Sequence, residues 1–181
     1  MNEIDEQTLK RCRRGDPQAL GALYDCYRQP VYYTARRMVG EQDAEDVTQE
    51  IFIAIFRAIG KFKGQSKLST WVISVAHNVC LMHLRKRRSK EGRTDSIEAT
   101  EYDPPVTALS PSQEVANKEF WENLSKAIDE LPDHHRAVVT LRSFDDLSYE
   151  EIAKALKVGI EEVRATLFRA RRRLIEKLRK D

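Results

Sequence analysis

Apolar positions recur along this chain with a period close to 3.6 residues, and neither Asn-Gly nor Asp-Gly, the usual signals of a short hairpin, occurs anywhere in it. That pattern predicts helices throughout. Asp16-Pro17 sets a capping acceptor before a proline suited to the first helical turn, and the helix it starts runs towards Met38, with Gly40 to stop it. A further helix begins around Asp43 and turns Val47, Ile51, Ile55, Phe52, Phe56 and Ile59 inward. Gly60 to Lys67 reads as a basic loop. Ser69 or Thr70 then caps a long helix carrying Trp71, Val72, Val75, Val79 and Met82, which finishes in Arg85-Lys86-Arg87-Arg88. Helical order resumes at the capping box Ser110-Pro111-Ser112-Gln113 and continues through Trp121, Leu124, Ile128 and Leu131. Pro132-Asp133 breaks that helix and starts another, with Ala137, Val138 and Leu141 inward.

The sharpest local pattern lies between Leu147 and Leu178. Ser148-Tyr149-Glu150-Glu151 is a capping box, and Leu147 with Ile152 can staple it. A short helix ends near Lys157-Val158-Gly159. A second, from about Glu161, buries Val163, Leu167, Ala170, Leu174 and Leu178 and shows Arg164, Phe168, Arg169, Arg171 and Arg172 on its other face. A short helix, a tight turn and a longer basic helix suit the DNA major groove, which admits one helix and its N-terminal side chains. An ordinary helical hairpin has the same outline; basic residues confined to the exposed face favour DNA.

Charge sharpens the picture. The net charge is only +2, yet residues 1–93 carry +6, residues 94–114 −5, residues 115–163 −5 and residues 164–181 +6. Two basic clusters, each on an amphipathic helix, predict a polyanion touched at two places. Residues 94–111, with Pro104-Pro105 and no basic residue, read as a flexible acidic linker. The expected fold class is all-α: two small helical domains, residues 1–93 and 112–181, on that tether. The longest apolar run, Ile51 to Phe56, falls far short of the ~20 residues that span a bilayer, and the acidic start lacks the blocks of a signal peptide. Neither membrane insertion nor secretion is expected. Cys12, Cys26 and Cys80 are odd in number and lack C-x-x-C spacing, which fits a reducing cytoplasm.

Three stretches, in order, resemble a known family. Leu131-Pro132, Arg136, Thr140-Leu141-Arg142, then Leu147 to Ala153, Val163-Arg164 and Arg169-Ala170-Arg171 look like the C-terminal domain of an alternative sigma factor. Gly15-Asp16 and Ala19 resemble the family's opening helix, and Asp43 to Phe52 its polymerase-binding helix. Trp71-Val72, Val75 to Val79 and the basic run beyond them resemble its promoter-melting helix. The chain is thus similar, over nearly its whole length, to extracytoplasmic-function sigma factors of the sigma-70 family. It departs from them at Glu161, Glu162 and Thr166 around the start of the recognition helix, and at Lys157, where the turn usually has glycine. Those departures bear on which upstream sequence is read.

The resemblance implies binding to RNA polymerase core, recognition of two promoter elements and help in opening the duplex, with an anti-sigma factor as a further partner. It implies that Asp43, Asp46, Gln49, Glu50 and Ile53 face the clamp of the largest polymerase subunit. Lys63, Gln65, Ser66, Lys67 and Asn78 are candidates to hold an unstacked base of the downstream element, with Arg85, Lys86, Arg87 and Arg88 on phosphate. Trp71 can stack on a base, although its place on the apolar stripe favours packing. Arg164, Phe168, Arg169, Arg171 and Arg172 are the candidates for the upstream element. The linker is placed by the family in the polymerase's RNA path.

Two rival readings stand beside this one. His77, Cys80 and His83 with His134-His135 suggest a metal protein, but steps of three diverge around a helix, and no Gly-rich phosphate loop or catalytic triad pattern appears. No enzyme activity, cofactor, metal or small-molecule substrate is expected. The other rival is a free-standing helix-turn-helix regulator that binds operator DNA without polymerase.

Overall fold

In a computed structural model the chain is helical and strandless over the residues described, 3–90 and 117–179. The expected linker and the expected capping box at Ser110 lie outside them. Helix α1 (Glu6–Arg13) is capped by Asp5, whose carboxylate accepts from the Thr8 backbone N–H at 2.8 Å and the Thr8 hydroxyl at 2.7 Å. Helix α2 (Pro17–Val39) starts as the sequence predicts, with Asp16 accepting from the N–H groups of Gln18 and Ala19. Arg11, donating to the same carboxylate at 2.9 Å, holds Asp16 below the usual carboxylate range. Gly40, at φ +88°, ends α2 and begins α3 (Glu41–Ala58) in a conformation that a Cβ would strain. A 3-10 turn (Ile59–Lys61) and a loop lead to α4 (Leu68–Lys90).

Helices α2, α3 and α4 pack on one another, with α1 against α2, around Leu23, Tyr27, Val31, Met38, Ile51, Ile55, Val72 and Leu84, all essentially inaccessible. Close packing makes each of these positions sensitive to a lost methylene. Two details of α4 differ from the sequence reading. The helix begins at Leu68, so Ser69 and Thr70 lie inside it, and Ser69 donates its hydroxyl to Glu3 at 3.0 Å instead of capping. Met82 is 68% exposed, because Leu81 and Leu84 already fill that end of the stripe.

The second group comprises α5 (Asn117–Asp129), α6 (Asp133–Ser143), α7 (Tyr149–Leu156) and α8 (Ile160–Leu178). Its core joins Ile128, Leu131, Val138, Leu141, Leu147, Ile152, Val163, Leu167, Ala170 and Leu174. Trp121, expected inward, is 55% exposed and stacks edge-on with Phe120, while Leu124 and Ile128 supply the packing at that end of α5. The capping box of α7 forms in both directions: Ser148 accepts from the Glu151 N–H, and Glu151 accepts from the Ser148 N–H at 2.9 Å. Lys157 ends α7 in the left-handed region, φ 57°, the conformation for which the family pattern uses glycine.

The two groups pack together. Ile73 of α4 is buried among residues of the second core, and Ala137 of α6 among those of the first. Arg136, almost fully buried, donates to the Met38 carbonyl at 2.7 Å and to the carbonyls of Asp129 and Leu131. Carbonyls near helix ends lack intrahelical donors, so one guanidinium completes both groups at once.

Candidate nucleic-acid interface

The acidic stripe of α3 is presented as predicted, with one difference. Asp46, Gln49 and Glu50 are exposed, and Ile53 stands 48% exposed beside them. Asp43, half-buried, is turned towards α4, where its Oδ2 lies 3.2 Å from His83 Nε2 and accepts from Arg87 Nη1 at 3.1 Å. It joins the start of α3 to the basic end of α4. The neighbouring surface is apolar: Tyr24 and half-buried Phe56 flank Phe52, with Tyr24 and Phe52 ring centroids 4.6 Å apart.

The basic loop before α4 keeps Lys63, Gln65 and Lys67 in solvent, turning at Gly64 (φ +71°), and the half-buried Ser66 donates to the Lys67 carbonyl. Trp71 is half-buried against the first core, 5.2 Å from the Phe62 ring, in the packing role its stripe position favours. At the other end of α4, Arg85, Lys86 and Arg87 are exposed, where cations also complement the helix dipole. Arg88 instead pairs with Asp133 of α6 at 2.9 Å. Asn78 is not open either: its amide donates to the Ser74 carbonyl at 2.8 Å and to the Ala155 carbonyl of α7 at 3.0 Å.

On α8, Arg164, Arg171 and Arg172 are exposed, and Phe168 and Arg169 are half-buried. Arg164 pairs with Glu161 at 3.0 Å and lies over the Tyr149 ring, and Arg172 pairs with Glu176 at 3.0 Å. Thr166, in the position where the family pattern has arginine, is buried, on the inward side of α8 with Val163, Leu167 and Ala170. Glu162 stands 3.9 Å from His134, near the start of α6. Burial, then Arg173 and Arg169, push His135 down to about 4, so a neutral imidazole sits beside the arginine run.

The residues considered for a metal serve three separate environments. His77 faces Asp145 at 3.0 Å and His83 faces Asp43. Cys80 is fully buried, its thiol pushed up to about 12 by desolvation, and behaves as a core residue. No group of three potential ligands converges among the described residues. Sequence reasoning missed the roles of His77 and Arg136, polar residues set on otherwise apolar faces. That incongruity was the available signal.

Two separately cored helical groups, a capped helix-turn-helix and two arginine-bearing helices are the features of a helix-turn-helix DNA-binding protein. The family model described as "Sigma-70 region 2" matches residues 23–90, and that described as "Sigma-70, region 4" matches residues 121–174. The chain is 35% identical over 175 residues to the RNA polymerase sigma-H factor of Pseudomonas aeruginosa, covering 93% of this chain and 91% of that one. It is 32% identical over 179 residues to the ECF RNA polymerase sigma-E factor of Escherichia coli, covering 96% and 94%. Among solved structures it shares the fold of CnrH in complex with the cytosolic domain of CnrY, at TM-score 0.68 and 20% identity over 99% of each chain. It likewise shares that of the sigma factor RpoE with the anti-sigma factor NepR from Bartonella quintana, at TM-score 0.64 and 22% identity, covering 89% of this chain and 97% of that one. The chain belongs to the sigma-70 family of RNA polymerase sigma factors, in its extracytoplasmic-function group. Membership replaces the reading as a free-standing operator-binding regulator. No described helix is long and apolar enough to cross a membrane.

Proposed function

We propose that this protein binds RNA polymerase core in the cytoplasm, directs it to a restricted set of promoters and takes part in opening them, without enzymatic activity or cofactor of its own. The domain division follows: residues 1–93 for core binding and the downstream element, 94–111 as an acidic tether, 112–181 for the upstream element. In this reading Asp46, Gln49, Glu50 and Ile53 meet the clamp of the largest subunit, charge steering the encounter and the apolar side chain anchoring it. Asp43 contributes at the edge of that stripe while holding Arg87. Lys63, Gln65, Ser66, Lys67 and Asn78 hold an unstacked base, and Arg85, Lys86, Arg87 and Arg88 neutralise phosphate. Arg164, Phe168, Arg169, Arg171 and Arg172 enter the upstream major groove. An anti-sigma factor is a natural antagonist, since one of the fold relatives is the sigma factor RpoE held with the anti-sigma factor NepR.

The observation that carries the reading is the coexistence, in one short chain, of a groove-sized basic helix on one core and an exposed acidic–apolar helix face on the other. Run-off transcription with purified core polymerase on a promoter library tests it. The wild-type chain should yield discrete transcripts. Asp46→Ala with Glu50→Ala should keep its helical circular dichroism and lose core affinity by about tenfold or more. Unchanged affinity in a folded double variant would remove α3 as the docking face.

A further inference from the structure

Glu161, Arg164 and Phe168 of α8 fall on one face at helical spacing, the first two exposed and the third half-buried. Arg164 and Phe168 are assigned to the upstream element. Glu161 therefore stands at the leading edge of the same face, in the first turn of α8, where a recognition helix brings its side chains to base edges. Its neighbour Glu162 is turned towards α6, 3.9 Å from His134 Nε2. The Glu161 side chain is 75% exposed, and its Oε1 accepts from Arg164 Nη1 at 3.0 Å. The Tyr149 ring, its centroid 6.0 Å from the Arg164 guanidinium carbon, flanks that guanidinium as well. A carboxylate in this row opposes the phosphates that the +6 of residues 164–181 attracts. Complementing the helix dipole offsets part of that cost, but Glu162 in the same turn does so equally.

We infer that Glu161 reads a cytosine amine, and that with Arg164 it forms a composite reader of one G·C pair in the upstream element. The inference rests on the role proposed for α8. In the major groove only the exocyclic amines of cytosine and adenine donate hydrogen bonds, so these are what a carboxylate can read. Within a G·C pair, guanine O6 and cytosine N4 are hydrogen-bonded to each other at about 2.9 Å, and N4 keeps a second hydrogen directed into the groove. The Arg164–Glu161 pair offers a donor and an acceptor 3.0 Å apart, a matching separation. The pair need not break to do so, because a guanidinium carries five N–H donors and a carboxylate two oxygens. An A·T pair also sets a donor beside an acceptor. Its thymine O4, however, stands next to a methyl group where guanine O6 stands next to the N7 acceptor, so Arg164 finds one acceptor there instead of two.

The test uses holoenzyme assembled from core polymerase and the full chain, selected on a promoter library randomised across the upstream element. The wild type should require cytosine opposite guanine at one position, and Glu161→Ala should lower that preference by about tenfold. The same variant should bind the remaining sequences more tightly, since a negative charge has left the phosphate-facing surface. Glu162→Ala removes an equal charge from the adjacent position and should raise affinity on every sequence without altering the preference. Glu161→Gln, which keeps the length of the side chain should Glu161→Ala unravel the first turn, should move the preference towards adenine, the base that glutamine reads through N6 and N7. A single N4-methylcytosine at the selected position keeps the base pair and removes the free amine hydrogen. It should bring the wild type down to the level of Glu161→Ala and leave that variant unchanged. An unaltered base preference in both Glu161 variants overturns the inference, as does a wild type indifferent to the methyl group or a Glu162→Ala variant that loses the same preference. If Arg169→Ala abolishes upstream selection while the Glu161 variants retain it, the inference falls and the role of α8 stands. A wild type with no upstream preference removes both.

Discussion

Two helices carry runs of arginine, α4 at Arg85 to Arg88 and α8 at Arg169 to Arg173, and the carboxylates that meet them come from different distances. On α8, Arg164 pairs with Glu161 and Arg172 with Glu176, three and four residues away on the same helix. On α4, Arg87 reaches Asp43 at the start of α3 and Arg88 reaches Asp133 at the start of α6. Exposed pairs within a helix contribute about 0.3–0.5 kcal/mol and give way easily to a phosphate. The α4 pairs join separate elements, so a phosphate that takes Arg88 also removes one contact between the two helical groups. These α8 pairs are thus confined to one helix, while Arg87 and Arg88 of α4 are tied to acids of other helices and Arg85 and Lys86 stay exposed.

The largest effect in this comparison belongs to the core beneath α8. Leu141→Ala leaves a cavity under both helices of the helix-turn-helix and should lower stability by about 2–5 kcal/mol in urea unfolding. Retention of wild-type stability would mean that the second core does not carry the motif. Next comes Arg169→Ala, expected to reduce transcription ten- to a hundredfold on promoters that need the upstream element, in line with ~1–3 kcal/mol for a good arginine–guanine contact. Measured across single-base variants of that element, relaxed preference at one or two positions identifies a base reader. Uniform loss makes Arg169 a phosphate clamp, the role proposed for Arg85 to Arg88 of α4.

A smaller change should follow Arg87→Ala. Holoenzyme binding to DNA should weaken alike on every sequence, and its salt slope should fall by roughly one. A changed promoter preference at constant slope would contradict the contrast between the two arginine runs. The smallest effect is one of pH. His135 titrates near 6.5 when unfolded but is held near 4 in the fold, so the unfolded chain binds more protons between those values. Stability is full above pH 6.5 and declines as pH falls towards 4, and His135→Gln should lessen that decline by a few degrees in Tm. An identical decline in the variant would assign it to other groups, His134 first among them, whose burial also lowers its affinity for a proton.

Much of this architecture is legible in the amino-acid sequence. The cap at Asp16, the stop at Gly40, the capping box at Ser148 and the turn at Lys157 all form where their local sequence places them, because each depends on atoms within a few residues. The exposed faces of α3 and α8 follow the same way. Reading the long helices by stripe alone is less secure at their ends. Met82 and Trp121 continue an apolar period past the point where a neighbouring helix exists to cover them. Periodicity tells which side of a helix is apolar and says nothing of how far its neighbour extends.

What the sequence determined by itself was therefore local: helix limits, caps, the helix-turn-helix, and the two basic surfaces with an acidic one between them. Its acidic segment suggested two domains held apart on a tether. Only the tertiary structure decided that they meet, that His77 finds Asp145 across 68 positions of sequence, and that Asn78 spends its amide on α7. The reason is physical. A cap closes a ring of a few residues and is specified by them, whereas a contact between distant helices depends on the shape and charge of both surfaces at once, and a single histidine or asparagine on a stripe does not name its partner.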